Sequence, residues 1–132
     1  TCEDIRFLGK QEAIEELLAV SDVFLLPSES ESFGLAALEA MACEVPIVSS
    51  NAGGIPEINI EGKTGFLSDV GDVQDMAANV VKLLKDEQML KQFKKNAKEQ
   101  AEVFALEKVM PLYEQYYRKI IEEVHQREIS AV

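Results

Sequence analysis

The chain has 132 residues, 47% of them hydrophobic and 28% charged, with a formal net charge of −11. That is one soluble globular domain with a single core; its longest apolar runs, 23–27 and 35–38, are far too short to span a membrane, and no basic-apolar signal peptide opens it. Residues 1–70 hold 13 acids against Arg6, Lys10 and Lys63, which excludes nucleic-acid binding by that half, because phosphate backbones demand a surplus of Lys and Arg.

The chain order begins with Cys2, which with Cys43 makes two thiols without metal-ligand spacing. No disulfide framework is expected of such a pair, and a reducing cytoplasm is the expected setting. Short apolar runs at 5–8, 23–26, 46–49 and 65–67 then alternate with helical patterns, the sign of βαβ units and a parallel sheet. Between the first two, 12–20 places Ile14, Leu17 and Leu18 on one helical face. Between the next two, 34–43 reads as a helix that must stop and enter "VPIV" within two residues. Glu44 stands where a left-handed glycine is usual, so it is expected to take positive φ at some cost, and Glu44→Gly to raise the melting temperature. "NAGGIPE" is a Gly-rich loop into a short helix, with Pro56 and Glu57 suited to its first turn.

Beyond residue 70 the pattern is all helix. Asp72 caps a segment in which Met76, Val80, Val81 and Leu84 recur at helical spacing. Residues 88–104 show Leu90, Phe93, Ala97 and Ala101. Residues 106–124, with Pro111 in the first turns, show Val109, Tyr113, Tyr116, Tyr117, Ile120 and Val124, a set expected to pack into the core. Residues 128–132 read as frayed. His125, the only histidine, is expected on the surface, and the lysines of 91–98 on a solvated helix face. The fold class is therefore α/β, a partial Rossmann-like parallel sheet of about four strands with flanking helices and a C-terminal run of helices. Residues 1–70 carry the candidate site and 71–132 pack on the same domain. Nucleotide-binding doubly wound domains use five or six strands, so the chain reads as the latter part of a larger domain.

The chemistry concentrates in "SESESFGLAALEAMACEVP". Ligands of open α/β sheets bind beyond the carboxyl ends of the strands, where the loop after 23–26 meets the next helix. Free N–H groups around Gly34 and Leu35 suit an anion there, and Gly34 lets a phosphate approach the backbone. Glu31 and Glu39, eight residues apart, would repel a phosphate but suit hydroxyl groups on either side of one. Ribose hydroxyls, a pyrophosphate and sugar hydroxyls have that layout, as in a nucleotide sugar.

"ESFGLAALE" resembles the Glu-x7-Glu motif of the family 4 glycosyltransferases, retaining enzymes of the GT-B fold, and the stretches from "FLGKQEAIEELL" to "NAGGIPEI" and "GKTGFLSDVGD" are similar to the same family over residues 5–120. "LGKQ" and "NAGGIPE" look like the branch that joins N-acetylglucosamine to malate. The resemblance implies that Glu31 is the catalytic residue, in contact with donor-sugar hydroxyls, and that Glu39 holds the ribose. It implies that Ser32, Phe33, Gly34 and Leu35 hold the diphosphate and sugar, that Gly9 and Lys10 line the base pocket, and that Gly53 and Gly54 form the crevice wall. The donor implied is a UDP sugar, UDP-N-acetylglucosamine, the acceptor a hydroxyl compound such as L-malate, and no metal is expected.

In that family an Arg and a Lys of the same half hold the pyrophosphate, while the acceptor and a catalytic His belong to an N-terminal domain. None of these lies within the sequence, so it is expected to be the C-terminal portion of a two-domain enzyme, inactive alone, whose partners are the nucleotide sugar and that missing domain; homo-oligomers stay open. The alternative is a non-catalytic α/β signalling or interaction domain. A receiver-type domain needs an acid pair after its first strand and an Asp ending its third, but "GKQEA" and "SSNAG" stand there. A flavodoxin-like FMN binder wants a hydroxyl-rich phosphate loop after the first strand, which is also absent.

Overall fold

The computed structural model describes residues 4–130, with side chains to 127. Cys2, Ala131 and Val132 lie outside the described residues. The elements run α1 (Ile14–Ala19), β1 (Phe24–Leu26), α2 (Leu35–Ala42), β2 (Ile47–Ser50), α3 (Ile55–Ile58), β3 (Gly65–Ser68), α4 (Val73–Lys85) and α5 (Glu87–Ala101). A single 3₁₀ turn (Glu102–Phe104) then leads into α6 (Leu106–Ser130).

The three strands form one parallel sheet in the order β1-β2-β3. Phe24 faces Ile47, and Ile47 faces Gly65. All four residues of the central β2 are buried, as a parallel strand covered on both faces requires. Successive side chains of a strand point to opposite faces, so Ile47 joins a cluster with Ala37, Ala40, Met41, Ile55, Ile58, Ala97 and Ala101. Its neighbour Val48 joins Phe66, Met76, Leu83 and Phe93 in a second. Full burial of side chains such as Ile47, Ile55 and Leu83 stabilises the fold by roughly 1.5–3 kcal/mol each. Ala37 and Ala40 of α2 share the first cluster with Ala97 and Ala101 of α5, and such small residues let two helix backbones lie close.

A buried polar knot ties this core together. The Asn59 amide donates to Ser49 Oγ (2.9 Å), Phe66 O (3.1 Å) and Ile47 O (3.4 Å). Its Oδ1 accepts from Thr64 Oγ1 (3.0 Å), which in turn accepts from the Ile60 N–H (2.7 Å). Gly65 leaves the room: a Cβ there would overlap the Ile47 carbonyl and lie 2.7 Å from Asn59 Oδ1.

The structure corrects several of the sequence expectations. Residues 5–8 are not a strand, and Ile5, Phe7 and Leu8 are exposed (61%, 96% and 55%). An apolar run becomes a strand only beside a ladder partner, and no strand lies next to it among the described residues. Among the described residues the sheet accordingly has three strands, where about four were expected. In α1 only Leu18 is buried, while Ile14 is exposed, and in α4 the buried pair is Met76 and Leu83, with Val81 and Leu84 exposed. Most consequential, the apolar residues of α6 are not core: Tyr113, Tyr116, Tyr117, Ile120 and Val124 are all exposed. α6 also continues as helix to Ser130, where fraying from 128 was expected. The Asp72 cap is present, its Oδ1 accepting from the Asp75 N–H at 2.9 Å. His125 is exposed.

Glu44 has φ 63°, the one non-glycine residue at positive φ among those described. The sequence did not signal its partner, Lys98 of α5, whose Nζ lies 2.6 Å from Glu44 Oε1. That hydrogen bond and charge hold the Glu44 carboxyl below the usual carboxylate range and the Lys98 ammonium above its ordinary value. A depressed carboxyl pKa contributes stability above its unfolded value and loses it as pH falls through the folded one; both side chains are half exposed, so the pair is weak. Glu44→Gly is therefore expected to raise the melting temperature by about 2 °C at neutral pH. Its advantage widens in acid, where the native pair is gone. Thermal scans at both pH values check this; a lower midpoint for the variant at neutral pH alone shows that the ion pair outweighs the backbone strain, and a lower one at both shows that the helix stop is built differently.

Candidate functional site

The C-terminal end of β1 delivers the chain through Pro27 to Gly34, the N-cap of α2, in the left-handed region (φ 91°, ψ 46°). Gly34 is buried, and a Cβ there would overlap Ile55 Cδ1 and crowd Ile58 Cδ1 at 3.1 Å. No side chain caps α2. The first turn closes from the Leu38 N–H to Gly34 O at 3.0 Å, leaving the N–H groups of Leu35, Ala36 and Ala37 without an intrahelical partner, as at any helix start. Leu35 is 66% exposed and Ser32 is exposed, so the mouth of the helix is open, not sealed by packing.

Gly53 and Gly54 come up against this loop. The Gly54 N–H donates to Glu31 O at 3.4 Å. A Cβ on Gly53 (φ 53°) would overlap the Glu31 carbonyl, and one on Gly54 would stand 2.6 Å from Ser32 O and 3.2 Å from Phe33 Cα. Both positions need glycine because backbone lies on backbone. The loops after β1 and β2 thus form one wall, bringing together Glu31, Ser32, Phe33, Gly53 and Gly54. The Glu31 side chain is partly exposed, its Oε1 accepting from the Ser32 N–H at 3.1 Å.

Glu39 is exposed and lines a hollow of about 360 Å³ between α2 and the end of α5, with Leu35, Leu38, Lys98, Glu102 and Phe104. Glu31 is not among the residues lining it. Leu35, Leu38 and Phe104 also border a larger apolar groove of about 800 Å³ that runs along Val109, Tyr113 and Tyr116 of α6. Phe33 meets Phe104 edge to face at 5.7 Å, so the 3₁₀ turn braces the approach to the helix mouth. Gly9 (φ 65°) and Lys10 are exposed ahead of α1. Among the described residues no hydrogen bond or ion pair ties Lys10 to the Gly34 mouth.

Sequence reasoning missed Lys98, Glu102 and Phe104. They lie some 60 residues beyond Glu39, and the only signal was that Ala97 and Ala101 put this end of α5 against the core. Among the described residues no group of three or more His, Cys, Asp or Glu is placed to hold a metal ion, and no helix is long and apolar enough to cross a membrane.

Chemically, the free N–H groups of a helix start can donate to an anion, and carboxylates can accept from hydroxyl groups. Residues 2–100 match the family described as glycosyl transferases group 1. The chain is 46% identical over 120 residues to N-acetyl-alpha-D-glucosaminyl L-malate synthase of Bacillus anthracis, covering 90% of this chain and 32% of that protein. Among solved structures, HepE of Anabaena in complex with UDP-glucose superposes with a TM-score of 0.75 at 30% identity, over 89% of this chain and 32% of that one. Sucrose-phosphate synthase of Thermosynechococcus elongatus gives 0.75 at 30% identity, over 81% and 27%. The chain spans about a third of the length of these relatives.

Proposed function

The chain belongs to the group 1 glycosyl transferases, of GT-B fold, and from that premise we propose that it is the donor-nucleotide part of a retaining enzyme that moves N-acetylglucosamine from UDP-N-acetylglucosamine to a hydroxyl of L-malate. The Bacillus anthracis relative carries that sugar and acceptor in its name, and HepE was solved with UDP and with UDP-glucose. One observation carries the reading: the uncapped start of α2 at left-handed Gly34, with Glu31 ahead of it and Glu39 on the same helix.

In this proposal the amides of Leu35 to Ala37 receive the diphosphate, which α2 favours through its dipole, with Ser32 and Phe33 beside them. Glu39 accepts hydrogen bonds from the ribose hydroxyls and Glu31 from those of the sugar. Gly53 and Gly54 wall the crevice, while Gly9 and Lys10 line the base pocket. As the glycosidic bond breaks, charge develops on the leaving diphosphate, where preorganised N–H donors stabilise it more than they do the intact donor. Attack on the same face, with a donor phosphate oxygen taking the acceptor's proton, retains the anomeric configuration without an enzyme nucleophile or a resident metal.

Residues 1–70 carry this donor site and have a net charge of −10. A diphosphate bound among so many acids needs basic groups from the rest of the enzyme, which also supplies the acceptor site and a catalytic His. The chain alone is therefore inactive in transfer. Calorimetric titration of the complete enzyme with UDP, UDP-N-acetylglucosamine and GDP-mannose tests the donor assignment. UDP and UDP-N-acetylglucosamine are expected to bind at least tenfold more tightly than GDP-mannose, and silence towards all three rejects it.

A further inference from the structure

The backbone that enters α2 is held by one short segment, residues 53–58. The carbonyls of Glu31 and Ser32 rest on Gly53 and Gly54, a Cβ on Gly54 would also stand 3.2 Å from Phe33 Cα, and left-handed Gly34 lies against Ile55 and Ile58. No side chain caps the helix, so the direction of the Leu35, Ala36 and Ala37 N–H groups follows the backbone at 33–34. A loop fixed along a single seam can rock about it, and a hydrogen bond weakens steeply as its donor turns away from the acceptor.

Phe104 supplies a support from elsewhere in the chain. Its ring meets that of Phe33 edge to face at 5.7 Å, with 72° between the planes, one of the arrangements that aromatic pairs favour. Both rings pack on the first core cluster, in which Ala97 and Ala101 anchor the end of α5. The turn that carries Phe104 is tied at its far end as well. The Ala105 N–H donates to Glu102 O at 3.3 Å, and the Val109 N–H to Ala105 O at 3.0 Å as α6 begins. Phe104 is partly exposed and borders both the Glu39 hollow and the groove along α6, so its removal opens a gap at the helix mouth and not in the centre of the core.

We propose that Phe104 is a positioning residue for donor binding: through the Phe33 ring it keeps the amides of Leu35 to Ala37 aimed at the diphosphate. This rests on the donor reading above and adds to it a residue that acts through another.

Calorimetric titration of the complete enzyme with UDP, and with uridine by displacement, tests it, because uridine keeps the base and ribose and lacks the diphosphate. Phe104→Leu, which retains apolar volume but removes the ring, is expected to weaken UDP binding about fivefold and uridine binding less than about twofold. Phe104→Tyr, which keeps the ring, is expected to bind UDP within about twofold of the unsubstituted enzyme. In a Phe33→Leu background the ring contact is already gone, and Phe104→Leu is expected to change UDP affinity by less than about 1.5-fold. Unchanged UDP affinity in Phe104→Leu overturns the proposal. So do equal losses for UDP and uridine, a loss in Phe104→Tyr as large as in Phe104→Leu, or an undiminished loss in the Phe33→Leu background. Failure of the unsubstituted enzyme to bind UDP rejects the donor reading itself, and this proposal with it.

Discussion

In the complete enzyme, Glu31→Gln is expected to lower the rate of sugar transfer about 100-fold while UDP affinity changes less than twofold, and Glu39→Gln to weaken UDP binding by about 10–30-fold with a smaller effect on kcat. Glutamine has the shape of glutamate but loses the charge. A hydrogen bond from a hydroxyl to a carboxylate is about twice as strong as one to a neutral amide, and half of the new side chain donates where the old one accepted. The two variants differ because their carboxylates sit in different places. Glu39 opens into the hollow with Lys98 and Glu102, whereas Glu31 is held at the loop wall by Gly53 and by its own contact with the Ser32 N–H. In the proposed site the second acts on the sugar and the first on the nucleotide. Calorimetry with UDP and steady-state transfer assays on the same preparations check both halves; the opposite pattern exchanges the two roles.

Asn59→Ala is expected to cost about 3–4 kcal/mol of stability and to lower the melting temperature by about 10–15 °C. Asn59 is fully buried, so its loss leaves the Phe66 and Ile47 carbonyls and the Ser49 and Thr64 hydroxyls short of a partner in a site that water does not reach freely, and it also leaves a cavity. Asn59→Asp should be worse at neutral pH, because a carboxylate cannot donate to the two carbonyls and would face them with a buried charge. It should recover part of the loss in acid, where the protonated group is neutral and can donate once. Denaturation curves at two pH values check this, and a shift below about 3 °C for the alanine variant shows that the knot is not holding β2 to β3.

The parts of this fold that were readable from the sequence are those that neighbouring residues decide. The three strands of the described residues are short apolar runs bounded by turn signals, and the helix stop at Glu44 follows from a chain that must reverse within two residues. The open mouth at Gly34 was readable for the same reason, since a glycine between an acidic loop and an apolar helix leaves few other conformations. What failed depends on distant partners. Residues 5–8 have the composition of a strand but no ladder. The stripe on α6 has the period of a core helix, but periodicity defines a face without saying what covers it. Lys98, Glu102 and Phe104 reach the Glu39 hollow only because Ala97 and Ala101 dock α5 on α2, which no local pattern announces. Asn59 read as a residue at the end of a short helix; that it joins Ser49, Thr64 and Phe66 is a product of the sheet register.

The glycine pair at 53 and 54 has a consequence for how such a crevice can change over evolutionary time. With no side chain between them, the turns following β1 and β2 are laminated into a single slab of backbone. Lengthening one turn alone would prise the acid at 31 off its support. Diversification of this region is therefore constrained to matched insertions and deletions in both turns, or to exchange of side chains along their outer rim.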